Sequence, residues 1–191
     1  MAHLITETQG YFIEGINNVR DFHSRKYGFT SSEDAAIYVA GVLEDASIAE
    51  SGRLVLNESL FSSMEKCFSQ SGFSDYERFR SLGDTSLVVG GMFPESVGLP
   101  EDYFAAMGIT GYYNAAARRS GMRAIHLELS DRFIPWLRII RDFRHDKEIV
   151  TTRDWIELYD AAIRLSSEYL RERAAEEKPP GILTGGFGRA D

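Results

Sequence analysis

Two neighbouring helical segments that both carry glycines in their interior constrain this chain most. Gly83 and Gly90 lie on one stripe of the first segment, and Gly108 and Gly111 lie on one stripe of the second. A glycine inside a helix costs up to about 1 kcal/mol relative to alanine. Close approach of two backbones would offset that cost, so we predict a tight antiparallel helix pair at the centre of the fold. The alternative is that these glycines mark local weak points or a kink.

Capping signals predict where these two helices begin and end. A capping box at residues 74–77, Ser-Asp-Tyr-Glu, predicts a first helix that begins at Asp75. Pro94 ends it, because proline disfavours the helical conformation in the residue before it. The second helix begins with Pro100 at its first position, and Gly121 is predicted as its left-handed C-cap.

Apolar residues at helical spacing predict further helices along the rest of the chain. One helix begins after Ser31 or Ser32, with Ile37 on its buried face, and Phe68 lies on the predicted inner face of another. Pro135 predicts a kink or break near Asp131, since an internal proline costs about 3 kcal/mol in a straight helix. The remaining predicted helical spans are 7–25, 58–70, 123–145 and 153–177.

These patterns predict an all-α protein in which about six main helices form one irregular bundle around the close-packed glycine-rich pair. A length of 191 residues with 43% hydrophobic residues suits one core. We expect a single helical domain over residues 1–178. A tail rich in proline and glycine follows over residues 179–191, with too few apolar residues to build a core of its own.

Charge and cysteine content bear on the partners and the compartment. The net charge of −8 disfavours nucleic acid and anionic membranes as partners. A single cysteine, Cys67, excludes an internal disulfide and fits a reducing, cytoplasmic compartment. The N-terminal residues lack the pattern of a signal peptide, and no apolar run reaches membrane-spanning length, so we expect no membrane segment.

The central segments also resemble a known sequence pattern. The block LGDTSLVVGGMFPES, followed by DYFAAMGITGYYNAAA, is similar to an LGDxxLxxxGxFP…DYYxxMGxxAY motif of a group of uncharacterised bacterial helical proteins. The resemblance extends more weakly from about Tyr11 to Tyr169 and departs from the motif at Gly111 and at Val88-Val89. It implies one shared fold and brings no function with it.

Asp84 is the most informative charged residue, because it lies in the middle of a predicted helix among glycines and apolar residues. Such a carboxylate could accept hydrogen bonds across the helix pair from Tyr103, Tyr112 or Tyr113, or could serve as a buried general base. We favour the structural role. If a ligand pocket lies between the helices, we expect Asp84, Tyr103, Tyr112 and Asn114 to line it.

Other chemistry finds little support in the sequence. The nearest approach to a metal-binding motif is Asp142-x-x-His145, which occurs once, while His3, His23 and His126 lie in unrelated contexts. No nucleophile motif or phosphate-binding loop is present in the sequence, and Cys67 lies on an apolar face as ordinary core. We therefore predict no catalytic residue, metal site or cofactor.

Arginine at every third position defines a candidate interaction surface, formed by Arg138, Arg141 and Arg144. Guanidinium groups bind carboxylates and phosphates in forked geometry. The alternative is an ordinary solvated helix face whose arginines pair with the nearby acids Asp131, Asp142 and Asp146. We predict that replacing the three arginines by alanine changes stability little; a large loss of folding would indicate a structural ion network.

Two functional classes follow. The first is a non-enzymatic protein-interaction or regulatory module, with a protein partner or a second copy of the chain as its ligand. The second is a small-ligand binder or enzyme with an interhelical pocket around Asp84. Because the sequence contains no recognised catalytic constellation, we favour the first.

Overall fold

The computed structural model describes residues 7–47, 60–69, 75–93 and 98–147. Within these ranges the protein is all-helical, as predicted. The elements are α1 (Glu7–Tyr27), α2 (Glu33–Ala46), α3 (Leu60–Ser69), α4 (Asp75–Met92), α5 (Glu101–Arg118), a 3₁₀ turn (Ser120–Met122), α6 (Arg123–Asp131) and α7 (Phe133–Lys147). Ser74 of the predicted capping box, the helix predicted over 153–177 and the tail lie outside the described residues.

The predicted close helix pair is confirmed in α4 and α5. A Cβ atom on Gly111 would stand 2.5 Å from the backbone nitrogen of Gly83 and 2.7 Å from the carbonyl oxygen of Phe79, so the two backbones touch. Seven residues after Gly83, Gly90 meets Phe104, which precedes Gly111 by seven. The contacts therefore run in opposite directions along the two helices, which makes the pair antiparallel.

The remaining glycines of the stripes make room for side chains instead. Gly90 accommodates the ring of Phe104, and Gly108 accommodates the ring of Phe133 at the start of α7. Gly91 lies against the side chain of Ile140, where an added Cβ would stand 2.6 Å from its Cγ2 atom. These contacts seat α7 directly on the central pair.

The other helices pack around this centre. α2 packs against α1, α4 and α6, while α3 contacts α4 and α5, and α7 also contacts α1. Trp136, Phe143 and Tyr112 are among the largest fully buried side chains. Cys67 is buried in the core, as predicted. Among the helices described, none combines the length and the apolar composition needed to cross a membrane.

Local signals explain the boundaries of α1 and α2. α1 ends where Gly28 adopts a φ of 69°, and its N–H donates to the carbonyl of Ser24 at 3.0 Å. A left-handed glycine is a common way to end a helix, because it has no Cβ to clash. α2 begins after Ser32, one of the two predicted caps, whose hydroxyl accepts from the N–H of Ala35 at 3.1 Å.

The break predicted near Asp131 is confirmed. α6 ends at Asp131, Arg132 leaves the helical conformation, and α7 begins at Phe133. Pro135 consequently lies in the first turn of α7, where its missing N–H removes no intrahelical hydrogen bond.

Three local predictions are wrong. Gly121, predicted as the left-handed C-cap of α5, lies in the 3₁₀ turn and does not have a positive φ. The glycines with positive φ in the described chain are Gly28 and Gly98. Ile37 is 40% exposed, because the buried stripes of α2 run through the alanines and valines beside it. Phe68 is 61% exposed, although its ring meets the edge of Phe79.

Candidate functional site

Asp84 lies at the centre of the molecule with no exposed surface. Two hydroxyl groups donate to its Oδ1 atom: that of Tyr38 from α2 at 2.8 Å, and that of Tyr112 from α5 at 2.9 Å. The glycine pair makes the second bond reachable, since a Cβ on Gly83 would stand 2.7 Å from the ring of Tyr112. One carboxylate thus ties three helices together.

The second oxygen of this carboxylate faces an arginine one helical turn earlier. The Nε atom of Arg80 lies 3.9 Å from Oδ2 of Asp84, and Arg80 also pairs with Glu77 at 2.7 Å. An opposite charge close to a buried carboxylate offsets part of the cost of removing that charge from water.

An imidazole completes this cluster of polar and aromatic groups. His126 of α6 is fully buried and stacks on Tyr112, with ring centroids 5.7 Å apart and an interplanar angle of 14°. The ring of Tyr38 meets His126 edge-on at 5.4 Å, and that of Tyr76 lies tilted at 5.7 Å. We call Asp84, Tyr38, Tyr112 and His126 the central cluster.

Tyr76, at the edge of the central cluster, has a perturbed phenol. Burial raises its pKa above the ordinary value of 10.0, and the guanidinium groups of Arg80 and Arg119 act in the opposite direction. Arg119 lies over the Tyr76 ring at 5.0 Å, which places this cation where it lowers the pKa.

The structure brings together two of the four residues predicted to line a pocket. Asp84 and Tyr112 are joined by a hydrogen bond. Tyr103 lies nine residues before Tyr112, roughly 13 Å along the helix axis, and is therefore away from this contact. Asn114 is turned away from Tyr112 by about 200° on α5. Its amide donates to the carbonyl of Thr110 at 2.9 Å and accepts from Arg118 at 3.1 Å.

Tyr38 and His126 are members of the cluster that sequence reasoning missed. A signal for Tyr38 does exist: Ala35 and Val42, three residues before it and four after it, are both fully buried on the same stripe of α2. A tyrosine on a buried stripe needs a partner for its hydroxyl. His126 likewise shares a buried stripe of α6 with Leu129 and Ser130, three and four residues after it.

The three predicted surface arginines divide into two groups. Arg138 and Arg141 converge on Glu101 at the start of α5, with distances of 3.1 Å to Oε1 and 3.4 Å to Oε2. Arg144 instead donates to the main-chain carbonyl of Met92, the last residue of α4, at 2.7 Å. Arg144 therefore caps a helix, while Arg138 and Arg141 form what we call the arginine face.

A cleft of about 490 Å³ lies beside the arginine face, between the C-terminal part of α1 and α7. Its apolar lining comes from Tyr27, Phe29 and Pro135. Phe29 is held with its ring edge-on to the buried Trp136, at a centroid distance of 5.6 Å. The cleft is within the size range of about 300–1,000 Å³ that is typical of small-ligand sites.

One charged residue of the cleft is an acid. Asp142 accepts a hydrogen bond from the ring of the buried His23, with 2.7 Å between Oδ2 and Nε2. Asp142 also lines a neighbouring cleft of about 590 Å³, together with Phe22 and His145. His145 thus lies beside the acid, as the Asp142-x-x-His145 spacing suggests. Within the described parts of the chain, no three His, Cys, Asp or Glu side chains come together as metal ligands would.

Compared with known proteins, the chain matches no protein-family model, no curated protein and no solved structure. The resemblance to the bacterial LGDxxLxxxGxFP proteins stays a prediction.

Proposed function

We propose that the protein is a non-enzymatic interaction or regulatory module that binds an acidic segment of a protein partner at the arginine face. Arg138 supplies the more accessible guanidinium, with 59% of its side chain exposed, and Arg141 is half-buried beside it. Both lie at the rim of an apolar cleft, where an acidic segment could also place an apolar side chain.

The observation that carries this proposal is a local surplus of positive charge. Two guanidinium groups share the single carboxylate of Glu101, so these three side chains carry a net charge of +1. Asp142, which also lines the cleft, adds one negative charge beside them. Each guanidinium has five N–H donors, more than Glu101 can accept. On a chain with a net charge of −8, such a site favours an acidic ligand locally.

The test is a titration with a synthetic peptide of alternating glutamate and phenylalanine, blocked at both ends, and with a matched lysine and phenylalanine peptide. We expect the acidic peptide to bind and the basic one not to. The double variant Arg138→Ala/Arg141→Ala should weaken binding at least about tenfold, equivalent to about 1.4 kcal/mol. The matched control is Arg123→Ala, which removes an exposed arginine at the start of α6.

Equal affinity of the double variant and the wild type would overturn the proposal. A second copy of the chain is one source of the acidic segment. Light scattering therefore accompanies the titration: a dimer that dissociates in the double variant and persists in the Arg123→Ala control identifies the partner as the chain itself.

A small-ligand binder is the second candidate. The observation that favours it is the cleft between α1 and α7, which combines an apolar wall with charged groups of both signs. On this second candidate the proposed pocket lies beside Arg138 and Asp142, whereas the sequence suggested a pocket around Asp84.

A further inference from the structure

We infer that the cleft between α1 and α7 is a binding site for a free α-amino acid with a large apolar side chain. This inference deepens the second candidate function and rests on it. Three parts of the cleft match three parts of such a ligand: a cationic rim for the carboxylate, an acidic rim for the ammonium group, and an apolar wall for the side chain.

The cationic rim is the arginine face. Glu101 neutralises one of its two positive charges, which leaves one for a ligand carboxylate. Arg138 lines the cleft with 59% of its side chain exposed, so its guanidinium is accessible to a ligand carboxylate, which can bind it in forked geometry.

The acidic rim is Asp142. Its side chain is 49% exposed, and the contact with His23 uses its Oδ2 atom. With His23 counted as neutral, Asp142 contributes one negative charge to the cleft, equal and opposite to the surplus at the arginine face. A ligand with one charge of each sign therefore complements the cleft better than a simple anion, which would meet Asp142 with like charge.

The spacing of the two rims fits a single amino-acid head group. Arg138 and Asp142 are four residues apart on α7, so they are neighbours on one helix face with Cβ atoms roughly 5–6 Å apart. The carboxylate and ammonium of an α-amino acid are attached to one carbon atom and can reach both residues at once.

The apolar wall accounts for the side chain. Tyr27, Phe29 and Pro135 offer two rings and a pyrrolidine, and Gly28 between the aromatic residues turns the chain with a φ of 69°. The contact of Phe29 with Trp136 anchors this wall to the core. Burial of an apolar side chain here contributes affinity that glycine, with the same head group, lacks.

Calorimetric titration of the full chain with L-phenylalanine, L-leucine and L-tryptophan tests the inference. We expect at least one of them to bind. Its analogues without the ammonium group, without the carboxylate, or without the side chain should each bind at least about tenfold more weakly. For phenylalanine these analogues are 3-phenylpropanoate, 2-phenylethylamine and glycine.

Two variants separate the roles of the rims. Asp142→Asn, which keeps the acceptor oxygen for His23, should weaken binding of the amino acid about tenfold and leave 3-phenylpropanoate unchanged or bound more tightly. Arg138→Ala should weaken both ligands. Asp131→Asn, an exposed acid outside the cleft, is the matched control, and circular dichroism establishes that each variant is folded.

The outcomes distinguish this inference from the interaction module proposed above. Absence of binding by all three amino acids overturns the inference, and so does equal affinity for phenylalanine and 3-phenylpropanoate. If the acidic peptide still binds in either case, the interaction module stands. If the acidic peptide does not bind while an amino acid does, the proposed interaction module is overturned and the small-ligand site stands.

Discussion

The central cluster and the cleft between α1 and α7 use similar groups in opposite ways. Each has a carboxylate, a histidine and at least one arginine near aromatic rings. In the central cluster Asp84 has no exposed surface and receives two tyrosine hydroxyls from two other helices. At the cleft, Asp142 is half exposed, and Arg138 is exposed over most of its side chain.

The difference shows why burial of a charge alone does not identify a functional site. A buried carboxylate whose hydrogen bonds come from the protein itself holds helices together, and any ligand would have to displace those bonds. A half-exposed carboxylate and an arginine face with surplus charge can bind a ligand without breaking the core. We therefore expect substitutions to affect mainly stability at the central cluster and mainly binding at the cleft.

The largest expected effect is at the central cluster. Asp84→Ala should lower the free energy of unfolding by about 3–5 kcal/mol, because the hydroxyls of Tyr38 and Tyr112 lose their acceptor and Arg80 loses its counter-charge. The paired variant Asp142→Ala should cost less, about 1–3 kcal/mol, since the buried ring of His23 loses one hydrogen-bond partner and Asp142 itself is half exposed. Urea unfolding measures both.

Asp84→Asn keeps one acceptor oxygen, so its free energy of unfolding should lie between those of Asp84→Ala and the wild type. If Asp84→Ala and Asp142→Ala lowered the free energy of unfolding by similar amounts, the two regions would not differ in their contribution to stability.

The next effect concerns the glycine pair that positions Tyr112. Gly111→Ala should destabilise the protein by about 1–3 kcal/mol, because its Cβ would overlap the backbone of α4 and no side-chain rotation relieves that overlap. Gly41→Ala is the matched control, since a Cβ there meets nothing within 4 Å. It should stabilise α2 by up to about 1 kcal/mol. Thermal melting of both variants measures the difference, and a stabilised Gly111→Ala would contradict the close backbone contact.

We expect the arginine face to contribute less to stability than to ligand binding. Arg138→Ala/Arg141→Ala should change the free energy of unfolding by less than about 1 kcal/mol, although we expect it to weaken binding of the acidic peptide. Adding Arg144→Ala should lower the free energy of unfolding by a further ~1.5 kcal/mol, because Arg144 donates a hydrogen bond to the last carbonyl of α4. The sequence-based expectation of little change thus applies to two of the three arginines. A cooperative loss already in the double variant would indicate that the arginine face is a structural ion network.

The smallest effect is a pH dependence at the edge of the central cluster. Burial raises the pKa of Tyr76 in the folded protein above 10.0, so the unfolded chain loses this proton first as the pH rises. Stability should therefore decrease as the pH rises above about 10, the ordinary pKa of tyrosine. Tyr76→Phe should lessen that decrease, as measured by urea unfolding at neutral and alkaline pH. If the free energy of unfolding decreased equally with rising pH in the wild type and in Tyr76→Phe, the raised pKa of Tyr76 would be contradicted.

Local spacing made part of this structure predictable. The glycine stripes predicted the contact of α4 with α5, since only residues without a side chain let two helices approach so closely. Pro135 predicted the break at Asp131, because its ring excludes a continuous helix. Once the two helices were expected to pair, Tyr112 was one of three tyrosines predicted as possible partners of Asp84, together with Tyr103 and Tyr113.

The contacts that sequence reasoning missed join residues far apart in the chain. Tyr38 and Asp84 are separated by 46 positions, and His23 and Asp142 by 119. The acids Asp131, Asp142 and Asp146 lie near the arginines in sequence, yet Arg138 pairs with Glu101, 37 positions away. Helical periodicity indicates which face of a helix is buried, but it carries no information about which helix covers that face.

The seating of α7 on glycine has a consequence for how fast a ligand could bind. Ile140 packs against Gly91, and Arg144 donates a hydrogen bond to the last carbonyl of α4. The part of α7 that carries Arg138 and Asp142 is therefore held in position before a ligand binds. A preformed site loses little conformational freedom on association. We expect its encounter with ligand to follow a single, concentration-dependent kinetic phase without a slow isomerisation step.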